Sequence, residues 1–196
     1  MSGTTRPLRS DAERTVRTIL EAAERVFGSD PAASMEQVAE AAGVARTTVH
    51  RRFASRDALL GALGAVAARE FAAAVDAARP ETTPPLVAFY QVTVNVLRVK
   101  RQWPFALNLH GPEHEEPARV HAEVEKRCDE LFKKAQDCGV LRADADLIWA
   151  RKSYYALIGV AARMHEYDID EAASRVVDTL LGGVGTGQAL TRPQAG

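Results

Sequence analysis

Residues 34–53 read SMEQVAEAAGVARTTVHRRF, and this stretch decides the fold predicted for the chain. Ser34 is placed to cap a helix, with Gln37 as its capping-box partner three residues later. Gly43 follows the last periodic residue of that helix, where a helix end favours the positive φ that glycine adopts most easily. A second helix restarts over 45–53. Two short helices joined by a tight turn predict a helix-turn-helix.

The composition favours an all-α protein. The chain has 196 residues, of which 46% are hydrophobic, and a formal net charge of -1. Helix-forming residues dominate and strand-like alternation is nearly absent, which predicts the all-α class. Because the net charge is close to zero, any nucleic-acid surface must be local. We find no signal peptide and no membrane span, and we interpret Cys128 and Cys138 as free thiols of a cytoplasmic protein.

Periodicity and breaks divide the chain into four predicted parts. Residues 1–10 form a flexible N-terminal arm, and residues 184–196 form a Gly-rich flexible tail. Residues 11–55 form a three-helix DNA-binding domain, whose first helix supports the two helices of the quoted stretch. Residues 56–183 form a helical body. The helices predicted in this body span 56–78, 86–100, 103–109, 117–139 and 144–166, with a last one from Asp168 or Asp170 to Leu181.

The predicted DNA-reading surface is the first half of the second short helix and its surroundings. Arginine pairs bidentately with guanine, threonine contacts bases or a thymine methyl, and a capped helix N-terminus favours a phosphate. The alternative for any single arginine here is a solvated surface charge. As a set, however, the arginines have no acid between them before Asp57, which predicts a local positive patch. The candidates for DNA contact are Ser34, Arg46, Thr47, Thr48, His50, Arg51, Arg52 and Arg56.

With these residues the chain resembles the TetR family of bacterial transcriptional regulators. The resemblance is carried by ILEAAERVF, by the quoted helix-turn-helix stretch and by SRDALL, all within residues 13–63. His50 stands where the family usually has a Tyr that contacts the DNA backbone, and Arg52 stands where it usually has a His; Phe53 agrees. The resemblance implies a homodimer on a palindromic operator. It also implies a helical ligand-binding body in which a small-molecule effector controls operator affinity.

The predicted ligand site lies where aromatic and polar residues mix on buried helices. Ordinary core packing is the alternative for each residue singly. Tyr154 and Tyr155 cannot both face one way on a helix, so at most one of them is a strong candidate. The candidates for ligand contact are Phe89, Tyr90, Thr93, Trp103, Phe105, Asn108, Tyr155 and His165.

The two C-terminal helices each have an apolar face, and together these faces are larger than one small core needs. We therefore predict that they form the interface of a homodimer. The alternative is that both helices close the core of a monomer.

Other chemistry has little support in the sequence. His110 and His114 stand among glutamates, but Gly111 and Pro112 break the helical spacing that a metal site of this kind needs, so a polar loop is the interpretation. No phosphate-binding glycine loop or nucleophile motif is evident, and we predict no cofactor, no metal and no enzyme activity. The prediction is a cytoplasmic, ligand-responsive repressor. The alternative is an all-α small-molecule-binding or interaction protein with a vestigial DNA-binding part.

Overall fold

The computed structural model describes residues 6–109 and 115–187, without the side chains of 6–10 and 115–116. The described residues form α-helices joined by short loops, which confirms the all-α class. A single turn of 3-10 helix, Ala106–Asn108, lies between the fifth and sixth helices. The α-helices are α1 (Arg6–Ser29), α2 (Met35–Ala41), α3 (Arg46–Arg52), α4 (Arg56–Ala77), α5 (Pro85–Gln102), α6 (Glu115–Asp137), α7 (Leu147–Arg163) and α8 (Ile169–Val184).

Several helix boundaries differ from the predicted ones. α1 begins at Arg6, so the flexible arm predicted for residues 1–10 is wrong for 6–10, whereas 1–5 lie outside the described residues. The helix predicted over 103–109 is wrong in length, because only the 3-10 turn forms there. α7 begins at Leu147 because the Asp146 carboxylate accepts hydrogen bonds from the first backbone N–H groups of that helix.

The chain folds as two compact units, and the first contains the helix-turn-helix. It comprises residues 6–67 together with the described part of 103–117. It therefore extends past the boundary predicted after residue 55 and takes in the first half of α4. Of the apolar side chains from α1 to α4 that have no solvent exposure in its core, six are larger than alanine. They are Ile19, Phe27, Val38, Val49, Leu59 and Leu63.

The helix-turn-helix has the local structure that its sequence predicts. The Ser34 hydroxyl accepts a hydrogen bond from the Gln37 backbone N–H at 3.2 Å, and the Gln37 side chain accepts one from the Ser34 N–H at 2.7 Å. Gly43 has φ +66°, and a Cβ placed on it would meet nothing within 4 Å. Glycine is thus needed there for its backbone conformation and not for space.

The second unit comprises residues 68–102 and the described part of 118–196. α5 lies at its centre, buried on most of its surface and packed against α7 and α8. The rings of Phe89, Phe132 and Tyr154 pack edge to face, with centroids 4.9 to 5.7 Å apart. The beginning of the predicted tail is fixed here, because the Thr186 backbone N–H donates to the Val140 carbonyl at 3.1 Å. The rest of the tail, 188–196, lies outside the described residues.

α4 is the one helix in the described part of the chain that is long and apolar enough, by length and composition, to cross a membrane. A core helix of a soluble protein passes the same test. Leu59, Leu63 and Ala67 of α4 have no solvent exposure in this structure. The helix is therefore already used to form a protein core.

Candidate nucleic-acid interface and ligand cavity

α3 presents a polar face to solvent while Val49 holds the helix to the core. Arg46, Thr47, His50 and Arg51 are exposed. Their spacing of one and four residues places them on a single face of the helix. The structure therefore brings together four of the predicted DNA contacts. Of the others on this helix, Arg52 is exposed and Thr48 is half-buried.

An acidic side chain from α2 lies within this basic surface. The Glu36 carboxylate is 2.6 Å from Nη2 of Arg46 and 4.0 Å from Nε2 of His50. Its own backbone N–H is the main cause that lowers the pKa of Glu36, with further contributions from Ser34, Arg46 and His50. The patch that is free of acids in sequence thus contains one carboxylate in space. The prediction failed here because Glu36 comes from the preceding helix.

Arg56 has contacts that differ from the predicted phosphate role. Its Nη2 donates to the Pro31 carbonyl, and its guanidinium carbon lies 4.8 Å from the centroid of the Phe27 ring. The side chain therefore connects the start of α4 to α1 and to the loop before α2. Arg56 therefore supports the helix-turn-helix, and its contact with a DNA phosphate stays a prediction.

The second unit contains a cavity of about 420 Å³ between side chains of α4, α5, α6 and α7. Its walls are mostly apolar, with polar groups at a few positions, as in many small-molecule sites. The apolar walls include Phe71, Val75, Val92, Val96, Val124 and Ile158. The polar lining comprises Lys100, His121, Glu125, Cys128, Arg151, Lys152, Tyr154 and Tyr155.

A buried arginine organises one side of this cavity. Arg151 is 7% exposed, its Nη1 donates to the Glu125 carboxylate, and its Nε lies 2.7 Å from Oδ1 of Asp129. Its guanidinium carbon also lies 5.5 Å from the centroid of the Tyr155 ring. The two carboxylates neutralise a charge that would otherwise be costly to bury.

Burial keeps one thiol and two hydroxyl groups of the wall protonated. It is the main cause that raises the pKa of the Cys128 thiol and of the Tyr154 and Tyr155 hydroxyls. The Tyr154 hydroxyl is 2.7 Å from the Thr93 hydroxyl, which itself donates to the Phe89 carbonyl at 2.6 Å. At neutral pH these side chains therefore present hydroxyl and thiol groups rather than anions.

The helix-turn-helix and its supporting helices are similar to those of a known protein family. Residues 19–63 match the family described as "Bacterial regulatory proteins, tetR family". The matched segment contains α2, α3 and the side chains that form the core around them. The helix-turn-helix of this chain is thus similar to that of the TetR family, which confirms the resemblance that the sequence predicted.

One relative, the repressor LfrR, is similar to this chain both in sequence and in solved structure. The HTH-type transcriptional repressor LfrR of Mycolicibacterium smegmatis (strain ATCC 700084 / mc(2)155) is 40% identical over 85 residues, which are 43% of this chain and 45% of LfrR. The match thus spans less than half of that relative. The solved structure of LfrR from Mycobacterium smegmatis in complex with proflavine has a TM-score of 0.64 at 27% identity, covering 92% of this chain and 99% of that chain.

A further TetR-family structure supports the fold alone. PfmR from Thermus thermophilus has a TM-score of 0.73 at 20% identity, covering 87% of this chain and 99% of that chain. These relatives are regulators rather than enzymes.

Most of the predicted ligand residues lie away from the cavity. Trp103, Phe105 and Asn108 belong to the first unit. Phe105 packs against Phe27 with ring centroids 6.0 Å apart, and the Asn108 amide donates to its own segment, to the carbonyl of residue 104, at 2.7 Å. Trp103 is 1% exposed. The prediction of these three as cavity residues is therefore not supported by the structure.

The remaining candidates divide between core, surface and cavity. Phe89 and Thr93 are fully buried in the core. The Tyr90 hydroxyl donates to the Asp170 carboxylate at 3.0 Å, and His165 is exposed. Of the predicted ligand residues only Tyr155 lines the cavity, joined there by Tyr154 from the same helix.

Sequence reasoning also missed a carboxylate in the first unit. Glu24 is 6% exposed, and its two oxygens accept hydrogen bonds from the backbone N–H groups of Phe105 at 2.5 Å and Ala106 at 3.0 Å. Burial raises the pKa of Glu24, while these two hydrogen bonds oppose the shift. Glu24 thus attaches the 3-10 segment to α1. Its position beside Ala23 on the apolar face of α1 was the available signal.

The metal candidate at His110 and His114 lies outside the described residues. Elsewhere in the described part of the chain, no cluster of three potential metal-binding side chains occurs. Cys128 and Cys138 are both free, as predicted.

Proposed function

We propose that this protein is a transcriptional repressor that binds a palindromic operator as a homodimer and is released by a small-molecule ligand. The observation that carries the proposal is the exposed polar face of α3 in a helix-turn-helix of the TetR family. The relative LfrR, described as a transcriptional repressor, supports this function. The protein acts in the cytoplasm, where its DNA is.

In the proposed complex, α3 enters the major groove. Arg46 and Thr47, in the first turn, read base edges together with the half-buried Thr48. His50, Arg51, Arg52 and the Ser34 hydroxyl contact phosphates and set the register. These roles follow from the exposure of the side chains and from the docking geometry typical of helix-turn-helix proteins.

The proposed dimer forms through α7 and α8. Ile148, Trp149 and Val160 of α7 are 62%, 68% and 49% exposed. Apolar side chains exposed together on one helix are typical of an interaction surface. On α8, Gly182 and Gly183 are exposed, and a Cβ added to either would meet nothing within 4 Å. Such small residues allow a second copy to approach closely.

The proposed effector site is the cavity between α4, α5, α6 and α7. A ligand bound there lowers operator affinity if it binds better to the conformation in which the dimer does not fit both half-sites. Proflavine, present in the LfrR complex, is a cationic compound with which ligands of other charge can be compared in this cavity.

The test is selection from random-sequence DNA with purified full-length protein. We expect enrichment of a palindrome whose half-sites lie about 10 base pairs, or a multiple, apart. A double variant, Arg46→Ala with Thr47→Ala, should enrich no sequence, whereas Arg98→Ala, an exposed arginine of α5, should enrich the same palindrome as the wild type.

Absence of enrichment with the wild type would contradict the proposal and favour a binding protein with a vestigial DNA-binding part. Enrichment of a single half-site without symmetry would contradict the dimer only.

A further inference from the structure

The cavity wall carries an ammonium group without a compensating acid. Lys100 lines the cavity from α5 and is half-buried. Among the described residues no carboxylate lies within ion-pair distance of Lys100. Two other cations of the same unit, Arg127 and Arg151, do form ion pairs with acidic side chains. Burial, and then the nearby Arg163, lower the pKa of Lys100. A partly buried cation of this kind favours a negatively charged partner.

The cavity lining contains a second donor, from α7. The Tyr155 hydroxyl is buried and forms no well-aligned hydrogen bond in the described part of the chain. Its polar neighbours are the Cys128 thiol and the Arg151 guanidinium. Since burial raises the pKa of Tyr155, this hydroxyl keeps its proton at neutral pH and can donate it to a hydrogen bond. Buried polar groups without partners are rare in folded proteins.

The carboxylate that lines the cavity is already engaged in an ion pair. Glu125 accepts a hydrogen bond from Nη1 of Arg151, which also lies beside Asp129. A cationic ligand would therefore compete with Arg151 for Glu125 and would meet the unpaired charge of Lys100. An anionic ligand meets neither obstacle.

We propose that the cavity binds an amphipathic carboxylate, with an apolar body against the valines of α5 and its carboxylate on Lys100 and the Tyr155 hydroxyl. The inference rests on the proposed effector site and specifies the class of its ligand. The cavity volume of about 420 Å³ lies within the range of small-molecule sites. The valine wall selects for apolar bulk, while the two donors select for the charge of the head group.

The test is calorimetric titration of the full-length protein, without DNA, using decanoate, decanol and decylamine. These probes share one chain and differ in head group. We expect decanoate to bind about tenfold more tightly than decanol, because a hydrogen bond to a charged group contributes more than a neutral one. Decylamine should bind more weakly than decanol.

Variants assign the preference to its donors. Lys100→Met should remove the difference between decanoate and decanol, and Tyr155→Phe should reduce it about threefold. Lys126→Met changes an exposed lysine of α6 outside the cavity lining and should keep the wild-type preference. Thermal unfolding of each variant checks that the fold persists, and Lys100→Gln replaces Lys100→Met if the latter unfolds.

Three results would overturn the inference: decylamine binding as tightly as decanoate, an unchanged preference in the Lys100 variant, or no binding of any probe up to its solubility limit. DNA selection is a separate measurement. Selection of a palindrome without a preference for decanoate would refute the ligand class alone. A protein that prefers decanoate but selects no DNA refutes the regulatory function alone.

Discussion

Arg51 and Arg52 of α3 are exposed to solvent, whereas Arg151 of α7 is 7% exposed and contacts two carboxylates and the Tyr155 ring. The same side chain therefore has different uses in the two units. On α3 the guanidinium groups remain available to an external polyanion. On α7 the charge is satisfied within the unit, so it contributes to the structure of the cavity wall. The set of internal partners, rather than the residue type, distinguishes the two uses.

Removing the acids that surround Arg151 should have the largest effect. The double variant Glu125→Gln with Asp129→Asn leaves a buried guanidinium without a countercharge, and we expect it to lower the free energy of unfolding by about 3 kcal/mol. Urea denaturation followed by circular dichroism measures this. The matched control is Glu171→Gln, because Glu171 pairs with Arg175 on the surface at 2.9 Å. The control should change stability by less than about 0.5 kcal/mol. Equal losses in both would remove the distinction between the two kinds of arginine.

Replacing an arginine of α3 should leave stability unchanged and alter DNA recognition instead. Arg46→Ala should reduce the preference for the selected operator over random DNA by about 2 kcal/mol, or roughly 30-fold, since one bidentate base contact is lost. Fluorescence anisotropy with both DNAs at fixed salt measures the ratio. The control, Arg98→Ala, should keep the wild-type ratio of the affinities for the two DNAs. A parallel loss of affinity for both DNAs would indicate that Arg46 contacts phosphate rather than a base.

Replacing two glycines of the first unit by alanine distinguishes the effect of backbone strain from the effect of helix propensity. Gly43→Ala forces an alanine to a φ of +66° and should destabilise the protein by about 1 kcal/mol. Gly61→Ala, inside α4 with open space around the added methyl group, should stabilise it by about 0.5 kcal/mol. Thermal unfolding of the two variants gives the signs directly. Destabilisation by both would show that space rather than φ limits these positions.

The smallest effect concerns the acid within the basic surface. Glu36→Gln removes a negative charge beside Arg46 and His50, so affinity for any DNA should rise about threefold at low salt. Glu40→Gln, an exposed acid of the same helix, is the control with a smaller gain. Anisotropy titrations with random DNA measure both. A loss of affinity would instead mean that Glu36 holds Arg46 in the orientation that DNA requires.

The helix-turn-helix was predictable because its determinants are local. The capping box at Ser34, the positive φ at Gly43 and the buried Val49 all fall within one short stretch. The contribution of Glu36 was not predictable in the same way, because it depends on how α2 crosses α3. The packing role of Arg56 was not predictable for a related reason, since its contacts to Phe27 and Pro31 come from a distant part of the sequence.

The ligand cavity was largely missed because its lining is assembled from four helices. Phe71, Lys100, Glu125 and Arg151 stand far apart in the sequence, and no periodicity within one helix shows that they meet. The prediction relied on aromatic residues, which also fill cores, and Phe89 is fully buried in one. A better signal was available in the charged residues, Lys100 and Arg151, that interrupt otherwise apolar helices.

The two tryptophans of the chain provide a separate spectroscopic reporter for each unit. Trp103 of the first unit is 1% exposed, and Trp149 of the second is 68% exposed. Trp103 should therefore emit at short wavelength and resist quenching by iodide, while Trp149 of the monomer should emit at long wavelength and be quenched readily. In a Trp103→Phe variant, dissociation of the proposed dimer on dilution would be followed from the emission of Trp149 without any attached dye.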